Sequence, residues 1–151
     1  MGSRIKEEAV KSLIRTASPD ILLIKETKME DKAFIHIARK LWKRSEGKAV
    51  SARGASGGLG TLWNAKKFLR IKEVANTHWL LSRLQHIDSD ETLYLFNVYA
   101  PASAGEKKIC WESIRSMEDS EDLVNIIIAG DLNLTLSLAK KHGGSIVRDP
   151  T

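Results

Sequence analysis

The stretch that most limits the fold is Ile126-Ile127-Ile128-Ala129-Gly130-Asp131-Leu132-Asn133. Three β-branched apolar residues in succession, reached from a polar segment, read as a strand buried on both faces. Gly130 interrupts the run, and an acid and an amide follow two positions apart. The end of a buried strand is where α/β proteins commonly hold their chemistry. A carboxylate there is costly to desolvate unless a charge or a hydrogen bond meets it. Taken alone, a strand entering an Asx-type turn explains the pattern as well. Two further strands of this chain end in the same manner, which moves the reading toward a site.

The first of these follows a helix. Ile5, Ala9, Val10, Leu13, Ile14 and Ala17 recur at helical spacing over residues 4 to 17, and Ser18-Pro19 stops the helix because a residue before proline is pushed out of the helical region. Ile21-Leu22-Leu23-Ile24 is then a short strand, with Glu26 just past its end. Strand alternation predicts that Lys25 and Glu26 point opposite ways. Glu26 on its own reads first as an acid at a helix N-terminus, with Thr27 and Glu30 capping the next helix. That helix is predicted over Asp31 to Arg44, with Phe34, Ile37, Ala38 and Leu41 on its apolar face and His36 and Trp42 as packing or surface residues. A lone histidine without a second histidine or cysteine nearby is a poor metal ligand candidate.

Gly47 to Gly60 reads as loop and strand edge. It is no P-loop, since the Gly-Lys-Ser/Thr ending is missing. Gly57 and Gly58 are read as structural, allowing close backbone packing where the chain enters a strand over Leu59 to Trp63. Further strands are predicted over Phe68 to Val74, Trp79 to Ile87 and Thr92 to Tyr99, the last two joined as an antiparallel hairpin through Asp88-Ser89-Asp90-Glu91. In the last strand Leu93, Leu95, Asn97 and Tyr99 share one face, which leaves Tyr99 at a strand terminus. A core tyrosine is the plain alternative there. Ser103 and Glu106 form a capping box for a helix through Cys110, Ile114 and Met117. After Asn133, a short turn is expected over Leu134 to Ala139 and a loop through His142-Gly143-Gly144. Many strands joined by short loops, with helices between, predict an α/β (α+β) chain with a mixed sheet, folded as a single domain over residues 1–151.

Composition excludes several classes. A single cysteine among 151 residues rules out an internal disulfide and fits a reducing compartment. No apolar run approaches the roughly 20 residues of a membrane helix, and Met1-Gly2-Ser3-Arg4 lacks a signal-peptide core; an intracellular, soluble protein without membrane contact is expected. The net charge of +5 is carried in groups: Arg39, Lys40, Lys43 and Arg44; Lys66, Lys67, Arg70 and Lys72; Lys107 and Lys108; Lys140 and Lys141. Such a surface attracts a phosphate-rich partner, though charge alone leaves DNA contact and a solvated face equally open.

Glu26, Tyr99 and the Asp131/Asn133 pair all fall at the ends of predicted strands. Brought together, they supply two carboxylates, a phenol and an amide. Oxygen ligands of this kind suit Mg²⁺ or Mn²⁺ and not zinc. Such an ion polarises a phosphoryl oxygen, a second carboxylate deprotonates water, and the amide and phenol donate to phosphate oxygens. The chemistry this set suits is phosphoester hydrolysis.

Four motifs occur in order: Ile21-Leu22-Leu23-Ile24-Lys25-Glu26-Thr27-Lys28-Met29, Ser56-Gly57-Gly58-Leu59-Gly60, Asn97-Val98-Tyr99-Ala100-Pro101 and Ile128-Ala129-Gly130-Asp131-Leu132-Asn133. Together they resemble the endonuclease/exonuclease/phosphatase superfamily, and most of all the apurinic-type endonuclease domain of plant LINE (non-LTR) retrotransposons. The resemblance implies a four-layer α/β/β/α sandwich with a divalent-metal site at one edge of two sheets. It implies Glu26 as the metal-binding glutamate, Tyr99 as the tyrosine on the scissile phosphate, Asp131 as the aspartate that activates water, and Asn133 as the asparagine that orients the phosphate. Gly57 and Gly58 match the family's structural Gly-Gly strand entry. A nuclear location is what the retroelement resemblance implies.

Departures qualify the expectation. Lys25 stands where the family usually has glutamine, and by alternation it is expected to matter little. The family's first strand with a metal-site asparagine, and its later asparagine, acid and closing Asp-His pair, have no counterpart in the sequence. None of His36, His78, His86 or His142 stands in a setting like that pair. The expectation is an incomplete domain, a partial four-layer sandwich, whose Mg²⁺- or Mn²⁺-dependent cleavage of DNA phosphodiesters is impaired. A non-catalytic retroelement relic or phosphate-binding module, and a phosphatase of a small substrate, stay open beside it.

Overall fold

Ten elements form in a computed structural model, which describes residues 4–53, 57–120 and 123–134. They are helices α1 (Arg4–Ala17), α2 (Asp31–Leu41) and α3 (Ala104–Ser120), and strands β1 (Ile21–Lys25), β2 (Ser45–Val50), β3 (Leu59–Asn64), β4 (Phe68–Ala75), β5 (Trp79–His86), β6 (Thr92–Tyr99) and β7 (Ile126–Asp131). The strands make two sheets, ordered β1-β3-β2 and β4-β5-β6-β7. All pairings are antiparallel except β6 with β7, which run parallel through α3 as the crossover. The turn expected over Leu134 to Ala139, all but its first residue, and the loop through His142-Gly143-Gly144 lie outside the described residues, as does Ser56.

Alternation along each strand builds the layers. Tyr94, Phe96 and Val98 of β6 face outward with Trp79 and Leu81 of β5, and α3 covers them with Cys110 and Ile114. The Trp79 indole N–H donates to Ser113 Oγ at 2.8 Å, fixing the start of β5 to α3. On the other sheet, Leu62 and Ala49 meet Phe34 and Ala38 of α2, with Val10 of α1 packed alongside. The remaining strand faces look inward at each other. Leu59, Leu80, Leu84 and Leu95 are buried there together with the polar Thr61, Ser82 and Asn97. The result is the expected α/β/β/α layering.

Three sequence expectations are corrected. Helix α2 ends at Leu41, three residues early, because Trp42 leaves helical geometry and its carbonyl accepts both the backbone N–H and the hydroxyl of Ser45. Strand β2 replaces the first part of the expected loop. Its sequence Ser-Glu-Gly-Lys-Ala-Val has low strand propensity, and it forms as an edge strand through pairing with β3, where a side chain at Gly47 would run into Leu62 and the Thr61 carbonyl. Strand β7 is not buried on both faces: Ile126 and Ile127 are 37% and 48% exposed, because β7 is the last strand of its sheet among the described residues. Helix α1 matches its expected bounds but buries no residue fully, and Ile5 is 83% exposed. Among the described residues no helix is long and apolar enough to cross a membrane.

Candidate active site

The three strand ends meet. Tyr99 closes β6 directly opposite Asp131, the last residue of β7, and the Ala100 N–H donates to the Asp131 carbonyl at 2.8 Å. Glu26, one residue past β1, accepts the Tyr99 hydroxyl at 2.8 Å. Asn133 follows in a tight turn in which its N–H donates to Asp131 Oδ1 at 3.2 Å and its side-chain amide donates to the Ala100 carbonyl at 2.6 Å. The Asx-type turn and the candidate cluster are thus the same structure. Glu26 does not belong to a helix N-terminus: α2 begins at Asp31, its N-cap Glu30 makes no side-chain cap bond, and Thr27 is buried.

The backbone explains how Glu26 is aimed. Glu26 and Lys28 have φ of 49° and 55°, a left-handed conformation that costs non-glycine residues energy and persists where the surroundings impose it. Here the carbonyls of Gly58 and Gly57 accept the N–H groups of Thr27 and Lys28 at 3.2 and 3.1 Å. Gly58 itself sits at φ 87°, and a Cβ there would run into Thr27 Oγ1. The Gly-Gly entry is therefore a clamp on the segment that carries Glu26.

Lys25 departs from expectation. Its ammonium donates to Asp131 Oδ2 at 2.9 Å, so it joins the site instead of pointing away. Alternation fails because the extended backbone stops at Lys25, where the left-handed Glu26 turns the chain. Two more residues were hidden in the sequence. Asn97 crosses between the sheets, donating to the Gly60 carbonyl at 2.9 Å, and so fixes β6, with Tyr99 at its end, against β3. Lys107, counted by charge as surface, is 4% exposed and its ammonium donates to the Asn133 carbonyl. Nothing local in a Lys-Lys pair distinguishes a buried lysine from a solvated one.

Charge follows the contacts. The hydrogen bond from Lys25 holds the Asp131 carboxyl below the usual aspartate range, helped by the Asn133 N–H and opposed by desolvation. Tyr99 is pushed above its ordinary value by its hydrogen bond to Glu26, by desolvation and by the two nearby carboxylates. At neutral pH the site thus holds an ionised aspartate beside a protonated phenol. A group whose folded pKa is depressed stabilises the fold above its unfolded value and loses that contribution as pH falls through the folded value. Lys25→Gln is expected to raise the Asp131 carboxyl titration, read by carbon-detected NMR. Stability should fall by no more than about 1 kcal/mol at neutral pH, since both partners are partly exposed. The difference from wild type should shrink as pH falls through the depressed folded titration of Asp131 and vanish once the carboxyl is protonated in both proteins.

The surface beside these groups is concave. A cleft of about 230 Å³ is lined by Tyr99 and Asn133 together with Gly57, Gly58, Arg53 and His78. Glu26 borders a second hollow of about 310 Å³, shared with Lys25, Lys6 and Ala9. Tyr99 therefore stands between its cleft face and its carboxylate partner. Among the described residues no three His, Cys, Asp or Glu side chains gather as a metal cluster.

A scan against protein-family models matches none, and no curated protein matches by sequence. The structure is similar to several solved ones. An endonuclease/exonuclease/phosphatase family protein from Bacteroides thetaiotaomicron aligns with a TM-score of 0.70 at 10% identity, over 88% of this chain and 56% of that one. D. rerio TDP2 complexed with single-strand DNA product aligns at 0.67 and 15% identity, over 86% and 54%. The human Nocturnin catalytic domain with a bound sulfate anion aligns at 0.65 and 11% identity, over 88% and 58%. This chain spans little more than half the length of those structures. With its two facing sheets and outer helices, the chain has a fold like that of these endonuclease/exonuclease/phosphatase-type structures.

Proposed function

We propose that this chain is an endonuclease-like phosphodiesterase that hydrolyses DNA phosphodiesters with Mg²⁺ or Mn²⁺. The observation that carries it is the convergence of Glu26, Tyr99, Asp131 and Asn133 from three strand ends, through the Tyr99–Glu26 bond and the Tyr99/Asp131 register. The ordered motifs support the retrotransposon-type endonuclease within this fold, and with it a nuclear location. Mg²⁺ is commonly held by one or two carboxylates, with water and substrate phosphate completing its shell. Glu26 and Asp131 fit that pattern, and Glu26 is the residue assigned to hold the ion. The ion, when bound, supplies positive charge against a phosphoryl oxygen.

The chain's own residues divide the remaining work. Asp131, ionised at neutral pH, takes a proton from the attacking water. Lys25 must release it to do so, and its partly exposed ammonium then has a phosphate oxygen as its new partner. Tyr99 and Asn133 donate to the phosphate from the cleft, exchanging the acceptors they use now, Glu26 and the Ala100 carbonyl. The test is nicking of supercoiled plasmid with Mg²⁺ and with chelator. Metal-dependent nicking is expected; no nicking by the folded chain overturns the catalytic reading.

The Lys25–Asp131 pair favours a second reading, a non-catalytic relic or module that binds phosphates, because a cation sits on the carboxylate that catalysis needs free. Binding without nicking is its signature. A phosphatase of a small substrate is distinguished by salt, since a DNA ligand loses affinity steeply as salt rises and a small phosphate ester does not.

A further inference from the structure

A second basic feature lies outside the candidate site. Lys32, His36 and Arg39 recur at spacings of four and three along one face of α2. With Lys48 of β2 and Arg70 of β4 they line a groove of about 330 Å³, all five exposed. Arg39 and Arg70 come from two basic groups far apart in sequence, which the edge positions of β2 and β4 bring together. Gly47 and Ala49 form part of the lining with Ile35 and add no charge. Two acidic groups lie nearby: Asp31 lines the groove and its Oδ1 accepts the Lys32 backbone N–H at 2.7 Å, and Glu73 pairs with Arg70 at 3.4 Å.

The groove shares a rim with the cleft. Ser51 lines the cleft and Asp31 lines the groove, and the Asp31 N–H donates to Ser51 Oγ at 3.0 Å. We infer that the groove is a track for the phosphate backbone of a nucleic-acid strand that runs from the cleft over the Ser51–Asp31 rim onto Lys32, Arg39, Lys48 and Arg70. Its nucleic-acid partner rests on the reading of the site given above. The charges are spread across three elements and open to solvent. That suits a repeating polyanion, whose binding is driven by counterion release, better than one small anion, which needs donors converging on a point.

The test reads binding, with chelator present so that no strand is cut. A fluorescent 20-nucleotide DNA, single-stranded and duplex, is titrated by anisotropy between 50 and 300 mM salt. The protein is wild type, Arg39→Gln/Lys48→Gln/Arg70→Gln, or Lys11→Gln/Arg15→Gln/Arg115→Gln, which removes the same charge from α1 and α3. The groove variant is expected to flatten the plot of log affinity against log salt by about 2 to 3 and to bind up to about 100-fold more weakly near 100 mM salt. The control variant should keep the wild-type slope. Equal slopes in the two variants overturn the track. If the triple variant does not fold, Arg39→Gln and Lys48→Gln singly are each expected to reduce the slope by about 0.9, and an unchanged slope in both overturns it. A groove-specific slope loss without metal-dependent nicking keeps the track and removes the catalytic reading. Nicking without a slope loss removes the track alone.

Discussion

Asp131→Asn is expected to abolish Mg²⁺-dependent plasmid nicking, a loss of at least about 1,000-fold, the size typical of removing a general base. The substitution keeps the shape of the side chain, but its single amide oxygen can accept only one of the two donors, the Asn133 N–H at Oδ1 or the Lys25 ammonium at Oδ2, and its NH2 group faces the other. What it removes is the negative charge that, in the proposed mechanism, accepts a proton from water. Stability should change little, because the pair it forms with Lys25 is partly exposed. A folded variant with melting near wild type and no nicking therefore isolates chemistry from folding. Glu26→Gln should behave alike, since its Tyr99 contact needs only an acceptor oxygen. Nicking at wild-type rate in either variant would sink the site assignment.

Gly130→Ala is expected to be the most damaging single change to the fold. Gly130 lies at φ 132°, and a Cβ there would run into the Val98 carbonyl oxygen of β6, with the Val98 N and C at 2.9 and 3.0 Å. These obstacles are backbone atoms of the paired strand, so no rotamer relieves them. Strain at such a φ costs about 1–3 kcal/mol, and overpacking adds about as much. For a chain of this size the melting temperature should fall by roughly 4–24 °C. The same shift separates Asp131 from Tyr99, so nicking should fall with stability. Circular dichroism melting checks the first effect and the plasmid assay the second; melting within about 2 °C of wild type would refute the close-approach account.

The conformational role of this glycine shows why so much of the site was readable. A Gly-Asp-x-Asn sequence after an apolar run marks a strand that ends in a turn, and the turn observed uses the Asp131 carboxylate and the Asn133 N–H as expected. The ends of β1 and β6 were legible for the same reason: short apolar runs with a break. The fold followed from counting such runs and from the order of four motifs.

What failed in the sequence reading failed where local pattern meets a neighbour. Strand β2 has weak propensity and exists because β3 offers it a hydrogen-bonding edge. The exposure of Ile126 and Ile127 depends on what lies beside β7, which no run of isoleucines reports. Lys107 looks like surface charge until α3 docks and buries it beneath Asn133.

The sequence by itself determined the elements other than β2, the α/β class and the identity of four polar residues at strand ends, because period, turn chemistry and side-chain type are local properties. Only the tertiary structure decided that Lys25 faces Asp131, that Gly57 and Gly58 clamp the turn carrying Glu26, and that distant arginines share one groove. Each of these depends on a left-handed residue, a strand register or an edge position. Those are set by packing between segments remote in the chain, where free energy is shared across contacts that no single stretch contains.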